Sequence, residues 1–173
     1  MMRTLVLCPP YYYDVTYELA TNRWMSVYQK PFRERVWEQW LALYERCRLA
    51  IDWRLLLAPP YPELPDMTFV ANAGLPYHNL FILSNYFHQE RRPESNVHWS
   101  FFSQWYGFEN VYALAGDEFF EGQGDAVWLN ERQLLVGYGI RTSMKGIQRV
   151  TQILRTRNPA IQVIPLPMKP LDQ

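Results

Sequence analysis

Two acidic residues flank a glycine-rich stretch in the last third of the sequence, which reads FEGQGD from residue 120 to residue 125. Glycine lacks a side chain, so a stretch of this kind lets the backbone approach a ligand closely. The carboxylates of Glu121 and Asp125 could accept both arms of a guanidinium group, a geometry that makes the contact strong and directional. The alternative interpretation is a solvated tight turn, since short motifs often recur without function.

A second polar segment, DMTFVANAG at residues 66–74, occupies the matching place in a preceding sequence repeat. Its residues Asp66 and Asn72 could converge with Glu121 on a common axis, and such convergence is what a binding site requires. The alternative is that Asp66 caps a loop and that Asn72 belongs to a turn, where asparagine is frequent.

Arginines stand where predicted strands lead into predicted helices. Arg141 lies in GYGIRTS at residues 137–143, and Arg91 lies in HQERRPE at residues 88–94, one repeat earlier. An arginine at such a junction can pair with a substrate carboxylate, with support from the dipole of the following helix. A solvated loop is the alternative, and we prefer it for Arg92. Acids for a cation, together with arginines for an anion, suit a free amino acid with a guanidino tail.

The elements that must position these residues begin with a strand, a helix and a second strand. Thr4–Cys8 and Trp53–Ala58 are short apolar runs that end at prolines, and Pro31 opens a helix between them. Residues 11–29 show no clear period and predict an irregular segment. Apolar residues at helical spacing predict a buried helix face made of Phe32, Val36, Trp40, Leu43 and Cys47.

The first of two consecutive hairpin, helix and strand copies follows. Residues 67–73 and 79–85 predict a hairpin whose turn is the GLP sequence at residues 74–76. Pro93 opens the helix, and residues 111–115 return as a strand. The inward face of this helix is predicted at Val97, Phe101 and Trp105.

The second copy has the same order. Residues 125–129 and 133–138 form its hairpin, Ser143 caps its helix, and residues 161–166 close the copy. The helix is predicted to bury Ile147, Val150 and Leu154. A period of about 50 residues is typical of arrays and propellers, in which each copy buries its apolar faces against its neighbours. Such a chain is expected to have unpaired ends.

Composition narrows the class of protein. At 173 residues, with 49% hydrophobic residues, the chain is long enough for one globular domain with a sizeable core. Seventeen basic side chains balance seventeen acidic ones, so neither nucleic acid nor a membrane is a predicted partner. No apolar run is long enough for a signal peptide or a membrane span, and we expect a cytoplasmic protein. Neither a disulfide framework nor a metal site is predicted, because the spacing of the two cysteines and three histidines fits neither.

The quoted segments also form a family signature. The blocks DMTFVANAG, FHQERRPE, FFEGQGDAV and GYGIRTS, in this order and spacing, resemble the pentein superfamily of guanidino-group-modifying enzymes. That superfamily comprises arginine deiminases, dimethylarginine dimethylaminohydrolases and amidinotransferases. The opening CPPYYYDVTYELATNRWM is similar to the bacterial branch related to arginine dihydrolase. The resemblance runs from Leu5 onwards, and several blocks in register are more specific than any single motif.

The resemblance implies an α/β fold, the five-bladed αβ-propeller, with a pocket on its axis. Residues 1–173 would form the N-terminal portion of one pentein domain, in units 1–65, 66–116 and 117–173, and hence an incomplete propeller. Glu121 matches the catalytic acid that binds the guanidinium, and Asn72 matches a catalytic position held by Asp in deiminases and by Asn in the dihydrolase-like branch. Arg141 and Arg91 match residues that hold the substrate carboxylate or order the site. The remaining substrate-binding positions are Asn22, Asp66, Phe69 and Asp125.

The mechanism that the resemblance implies needs a cysteine thiolate to attack the guanidino carbon and a histidine to move protons. It needs neither a metal nor an organic cofactor. Both residues come late in the family, and residues 161–173 resemble the strand that leads into the catalytic histidine, so we expect that the C-terminal catalytic portion is absent. His78, His88 and His98 do not fit the missing role. Cys8 is the only conceivable substitute nucleophile, but its place at the end of a buried-looking strand predicts an inert thiol.

Three functional hypotheses follow. The favoured one is the N-terminal substrate-binding part of a guanidino-modifying hydrolase or amidinotransferase that acts on arginine or a related compound. This part would be inactive alone, and would be completed by a C-terminal partner chain or would self-associate through exposed sheet edges. The second is a non-catalytic arginine-binding module or inactive truncated homologue, and the third is a purely structural repeat protein. Deimination, removal of both nitrogens and amidino transfer stay open, and Asn72 favours the dihydrolase-like chemistry.

Overall fold

The computed structural model describes residues 3–19, 22, 25–49 and 53–169. The chain divides into two compact units, Met1–Val70 and Ala71–Gln173. Within the ranges just given, no helix combines the length and the apolar character that crossing a membrane requires.

The first unit contains one pair of parallel strands. β1 (Arg3–Leu7) pairs in register with β2 (Trp53–Leu57), and helix α1 (Arg33–Leu49) connects them. Parallel strands need such a crossover, which a hairpin turn cannot provide. Cys8 directly follows β1 and is buried, as its place at the end of an apolar strand predicts.

The predicted buried face of α1 is wrong. None of the described residues of this helix is buried, Leu43 is exposed, and Cys47 is half-buried rather than in the core. Phe32, which precedes the helix, is also exposed. The physical reason is that a helix buries its apolar stripe only against a second layer, and a two-stranded sheet is too narrow to cover 17 residues.

The second unit repeats one three-stranded motif. In each copy, an antiparallel hairpin is extended by a parallel third strand that the chain reaches through a helix. The first repeat comprises β3 (Gly74–Tyr77), β4 (Leu80–Leu83), α2 (Glu94–Tyr106) and β5 (Val111–Tyr112). The second repeat comprises β6 (Ala126–Asn130), β7 (Gln133–Tyr138), α3 (Met144–Arg157) and β8 (Gln162–Pro167). The predicted order of hairpin, helix and strand is therefore confirmed in both copies, but residues 67–73, predicted as the first hairpin strand, lie largely in 3₁₀ turns.

The two repeats share a hydrophobic core and a backbone bridge. The core is formed by Leu75, Leu80, Ile82, Phe120, Leu134, Val136, Ile147, Val150, Leu154 and Ile161, among others. Asn85, after β4, and Phe120, before β6, exchange two backbone hydrogen bonds of 3.0 Å each. This bridge fixes the following residue, Glu121, against the first repeat.

The second repeat agrees with the sequence prediction in detail. The Ser143 hydroxyl accepts a hydrogen bond from the Gly146 N–H at 3.0 Å and so caps α3, as predicted. The helix buries the predicted apolar residues Ile147, Val150 and Leu154. In the hairpin turn, the Asn130 side-chain oxygen accepts hydrogen bonds from two backbone N–H groups, those of Arg132 and Gln133.

The predicted turn of the first hairpin is wrong. Residues 74–76 lie in strand β3, and the chain reverses at His78, which has a positive φ of 50°. Gly74 serves close packing, because a Cβ there would lie 2.4 Å from the Ile82 carbonyl oxygen. Pro76 is tolerated because β3 is an edge strand of its sheet.

The predicted inward face of α2 is also wrong. The residues that this helix buries are Glu94, His98, Phe102 and Ser103, whereas Trp105 is exposed. Val97 and Phe101 are only half-buried. An apolar pattern could not indicate this face, because two of its residues are a carboxylate and an imidazole that are buried beside an arginine.

Candidate functional site

Glu121 is the buried acid at the centre of the site. It lies between the bridge formed by Phe120 and a short 3₁₀ turn, Gly122–Gly124, and its residue surface is 0% exposed. Ser143 secures the same segment from the other side, because its N–H donates to the Phe119 carbonyl at 2.9 Å and its hydroxyl accepts from the Phe119 N–H at 3.1 Å. The second repeat therefore holds Glu121 against the start of α3.

One oxygen of the Glu121 carboxylate receives two partners. The Asn72 side-chain amide donates to Oε2 at 3.2 Å, and Nη1 of Arg141 lies 3.1 Å from the same oxygen. The other oxygen, Oε1, is buried and has no hydrogen-bond partner among the described residues. A buried carboxylate oxygen without a partner is costly, so Glu121 retains capacity for a further donor.

Two glycines make this arrangement sterically possible. A Cβ at Gly124 would lie 2.2 Å from Nδ2 of Asn72, the atom that donates to Glu121. A Cβ at Gly122 would lie 2.6 Å from the Gly74 backbone, and Gly122 also has a positive φ of 55°. The prediction that these glycines allow a close approach agrees with this geometry, although the group that approaches is Asn72.

Arg141 bridges the two acids of the FEGQGD motif. Its Nη2 pairs with Oδ1 of Asp125, while Nη1 reaches Glu121, and its side chain is 30% exposed. Thr142 donates from its hydroxyl to Oδ2 of Asp125 at 2.8 Å and accepts from the Glu121 backbone N–H at 3.3 Å. Sequence analysis missed Thr142, although a hydroxyl residue directly after Arg141 was a usable signal.

Glu121 and Arg141 are bonded to each other in the structure. The sequence analysis assigned the acids to a ligand cation and the arginines to a ligand anion, but these two side chains are in direct contact. The physical reason is that a guanidinium fork at the start of α3 lies within reach of two carboxylates and satisfies both. Arg141 therefore occupies one face of the acid that a ligand guanidinium would use.

Arg91 is committed to a different acid. Its Nε and Nη2 donate to the two oxygens of Glu94, each at 2.8 Å, and its guanidinium stacks 4.6 Å from the ring centroid of Tyr86. His98 contributes Nε2 at 3.7 Å from Glu94. Arg91 is 4% exposed, so its position favours a structural role that orders the site over direct contact with a ligand.

The electrostatics of Glu121 reflect this mixture of contacts. Burial raises the pKa of its carboxyl, the charges of Arg141 and Arg91 lower the pKa, and those of Asp125 and Glu94 raise it, with a net shift upward. The unpartnered oxygen and the raised pKa both indicate an acid whose ionised form is incompletely stabilised. A cationic ligand would supply that stabilisation.

The other predicted pocket residues lie in the first unit. Asp66 is buried and accepts a hydrogen bond from the Tyr17 hydroxyl, and Phe69 packs edge-on against Tyr13 at 5.8 Å between ring centroids. Burial, followed by the charges of Asp66 and Asp14, raises the pKa of Tyr13. Asn22 is exposed. Sequence analysis did not identify the two tyrosines, which gave no pattern beyond the abundance of aromatic residues.

The three histidines occupy dissimilar environments. His78 is exposed in the hairpin turn of the first repeat, and His98 is buried beside Glu94. His88 is half-buried; burial lowers its pKa most, the Glu90 charge opposes this shift, and the charges of Arg141 and Arg91 lower the pKa further. Over the described ranges, no group of three or more His, Cys, Asp or Glu residues could hold a metal ion.

A family model described as arginine deiminase matches residues 62–172, which include Glu121, Asn72, Asp125 and Arg141. The chain belongs to the arginine deiminase family. Its α/β fold matches the pentein structures, and the recognition of a guanidino-modifying family from the sequence blocks is confirmed.

Individual relatives agree with this assignment. The bifunctional arginine dihydrolase/ornithine cyclodeaminase ArgZ of Synechocystis sp. is 35% identical over 167 residues, which are 92% of this chain and 22% of ArgZ. The dimethylarginine dimethylaminohydrolase of Mycobacterium tuberculosis is 31% identical over 88% of this chain and 48% of its own length. The crystal structure of a mutant AgrE, from Nostoc sp., in a binary complex with L-arginine superposes with a TM-score of 0.81 at 30% identity, covering 98% of this chain and 24% of AgrE.

The relatives are longer than the chain. Its 173 residues span 22% of ArgZ and about half of the mycobacterial enzyme. The similarity to ArgZ therefore concerns one part of a bifunctional protein, and the part is the N-terminal region of ArgZ-like proteins.

Proposed function

We propose that the second unit binds the guanidinium group of arginine or a related compound at Glu121 and Asn72. The observation that carries this proposal is the buried Glu121 carboxylate, which already accepts a guanidinium on Oε2 and has no partner on Oε1. A planar guanidinium with parallel N–H groups matches a carboxylate in two-point contact better than an ammonium does. The L-arginine bound in the AgrE structure supports arginine as the ligand class.

Arg141 must then change its contact when the ligand enters. We propose that the ligand guanidinium displaces Arg141 from Glu121, while Asp125, which accepts a hydrogen bond from Thr142, retains Arg141 at the edge of the site. Its 30% exposure leaves it room to turn toward the carboxylate of the ligand. Arg91 stays paired with Glu94 and acts on Glu121 through its charge.

Asp66, Phe69 and Asn22 are proposed as substrate-binding residues on the family resemblance alone. Within the first unit, Asp66 and Phe69 each have an aromatic partner, Tyr17 and Tyr13 respectively. None of these residues carries the proposal, which rests on Glu121.

The chemistry we propose is that of a guanidino-modifying hydrolase or amidinotransferase. A cysteine thiolate attacks the guanidino carbon and forms a covalent thiouronium intermediate, and a histidine protonates the departing amine. In this proposal, both groups come from protein segments other than the 173 residues, and Glu121 and Asn72 supply the fixed polar contacts. No metal or organic cofactor takes part.

We propose an incomplete five-bladed αβ-propeller as the architecture, with the two repeats as successive blades. Apolar side chains are exposed on the outer strands of the second repeat, at Val127, Leu129, Ile164 and Leu166. Strands of this kind favour association with a further segment or a second chain. A C-terminal partner that completes the ring is consistent with the greater length of the relatives.

A calorimetric titration with L-arginine tests the binding proposal. We expect binding by the wild-type chain, and a loss of affinity of about 10- to 100-fold in Glu121→Gln, because a charge-assisted hydrogen bond contributes about 1.5–3 kcal/mol. Glu131→Gln is the matched control, since Glu131 is exposed in the turn between β6 and β7. Equal affinity in both variants would contradict the assignment of Glu121.

An ammonia-release assay on the same samples tests whether the chain alone catalyses the reaction. Binding without turnover by the chain alone supports either a binding part that needs a partner or a non-catalytic module. Turnover by the chain alone would contradict the proposal that the cysteine and histidine come from elsewhere.

A further inference from the structure

Thr142 closes a ring of contacts around the candidate site. Its hydroxyl accepts from the Glu121 backbone N–H at 3.3 Å and donates to Oδ2 of Asp125 at 2.8 Å. The other oxygen of Asp125 pairs with Nη2 of Arg141. Nη1 of Arg141 contacts the Glu121 carboxylate, which completes the ring. Thr142 is 2% exposed, so no solvent replaces its hydroxyl if it is removed.

We propose that Thr142 is a positioning residue for ligand binding at Glu121, acting through the orientation of Asp125 and Arg141. The proposal rests on the binding role of Glu121 given above. The hydroxyl fixes one oxygen of Asp125, so that the other oxygen faces Arg141 and gives it a partner when it leaves Glu121. Thr142 itself touches no part of the ligand.

The chemistry of a hydroxyl explains why this position requires serine or threonine. It accepts one hydrogen bond, from the buried Glu121 backbone N–H, and donates another, to the half-buried Asp125 carboxylate. Valine has nearly the same shape but leaves the Glu121 N–H and one oxygen of Asp125 unsatisfied, whereas serine keeps both bonds. Hydroxyl loss would free Asp125 to rotate and would weaken the hold on Arg141.

A weaker hold on Arg141 has a predictable electrostatic result. The charged groups that act on Glu121 are Arg141, Arg91, Asp125 and Glu94, and the two arginines lower its pKa against the effect of burial. Less contact with Arg141 removes part of this lowering. The pKa of Glu121 should therefore rise further in Thr142→Val and stay at the wild-type value in Thr142→Ser.

The test combines a carboxyl titration with ligand binding in the whole chain. Carbon NMR of side-chain-labelled glutamate follows Glu121, assigned by its loss in Glu121→Gln, and calorimetry measures L-arginine affinity across the same pH range. We expect Thr142→Val to raise the Glu121 midpoint and to weaken binding about 3- to 10-fold, the effect of roughly one hydrogen bond. Thr142→Ser should keep both wild-type values, as should the control Thr151→Val, whose hydroxyl bonds only within α3.

The outcomes separate this proposal from the one on which it rests. A wild-type midpoint in Thr142→Val, or a Thr142→Ser that behaves like the valine variant, overturns the positioning role. If Thr142→Val does not fold, the Thr142→Ser variant decides the question. Serine keeps the hydroxyl and lacks the γ-methyl group, so weaker arginine binding by Thr142→Ser would indicate a packing role and would overturn the proposal. If the wild-type chain does not bind arginine, the binding proposal fails, while the ligand-free Glu121 midpoints still decide whether Thr142 sets the ionisation of Glu121.

Discussion

The two repeats of the second unit each contain a buried glutamate beside an arginine, and the two pairs differ in how completely they are bonded. In the first repeat, Glu94 uses both oxygens to accept from Arg91 at 2.8 Å, and both side chains are almost fully buried. At the second repeat, Glu121 uses one oxygen for all its side-chain contacts, and its arginine, Arg141, is partly exposed and shared with Asp125.

The pKa values of the two acids move in opposite directions for this reason. Burial raises the pKa of Glu94, but the hydrogen bonds and charge of Arg91 and the charge of the nearby His98 lower it, and the net shift is downward. At Glu121, burial outweighs the lowering effect of the two arginines, and the net pKa shift is upward. A closed pair of this kind is a structural anchor, whereas an open pair keeps a carboxylate available for a ligand.

The largest expected difference between the repeats is in stability. Arg91→Met leaves Glu94 buried without its two-point partner, and breaking a buried ion pair costs about 3–5 kcal/mol. Arg141→Met should lower the free energy of unfolding by about 1 kcal/mol or less, because partly exposed pairs contribute little. Urea unfolding of the two variants measures both. Equal destabilisation by the two substitutions would contradict the distinction between Arg91 as a structural partner and Arg141 as a partner that a ligand can replace.

A smaller effect concerns the pH dependence of stability. Ionisation of Glu94 is favoured by folding, so its contribution is present above the unfolded pKa and is lost as the pH falls. Ionisation of Glu121 is disfavoured by folding, so stability decreases as the pH rises from its usual value of 4.5 through the raised pKa. At neutral pH, Glu121→Gln should therefore be more stable than wild type by about 1 kcal/mol, while Glu94→Gln should be less stable.

Thermal unfolding from neutral to acidic pH checks these signs. The gain in Glu121→Gln should disappear once the wild-type carboxyl is protonated, and the loss in Glu94→Gln should shrink at the same acidic pH values. A Glu121→Gln variant that is less stable than wild type at neutral pH would show that Arg141 and Asn72 already stabilise the ionised carboxylate fully.

The second repeat was predictable from sequence because local signals agreed there. Ser143 is a strong helix cap, and the apolar residues of α3 follow a single helical period. The first repeat was less predictable because its determinants are not local. Gly74 and Pro76 look like turn residues, yet one serves close packing against Ile82 and the other lies on a sheet edge.

The convergence of four predicted site residues was predictable from the sequence, and their mutual contacts were not. The sequence blocks named Glu121, Asn72, Asp125 and Arg141, and the structure brings these four together. That Arg141 pairs with Glu121, instead of standing apart from it, depends on side-chain reach across two loops, which spacing does not encode. The sequence also did not predict that Glu94 is buried on α2. An apolar period cannot indicate that a carboxylate is neutralised by Arg91.

The most direct test of the account is the ligand preference of Arg141→Met, measured by calorimetry with L-arginine and with agmatine, which is arginine without its carboxylate. If Arg141 occupies the guanidinium site and later meets the ligand carboxylate, the variant should bind agmatine about 3- to 10-fold more tightly than wild type and L-arginine more weakly, in line with the modest strength of a partly exposed ion pair. Agmatine that binds no better to the variant than to wild type would contradict the claim that Arg141 and the ligand compete for Glu121.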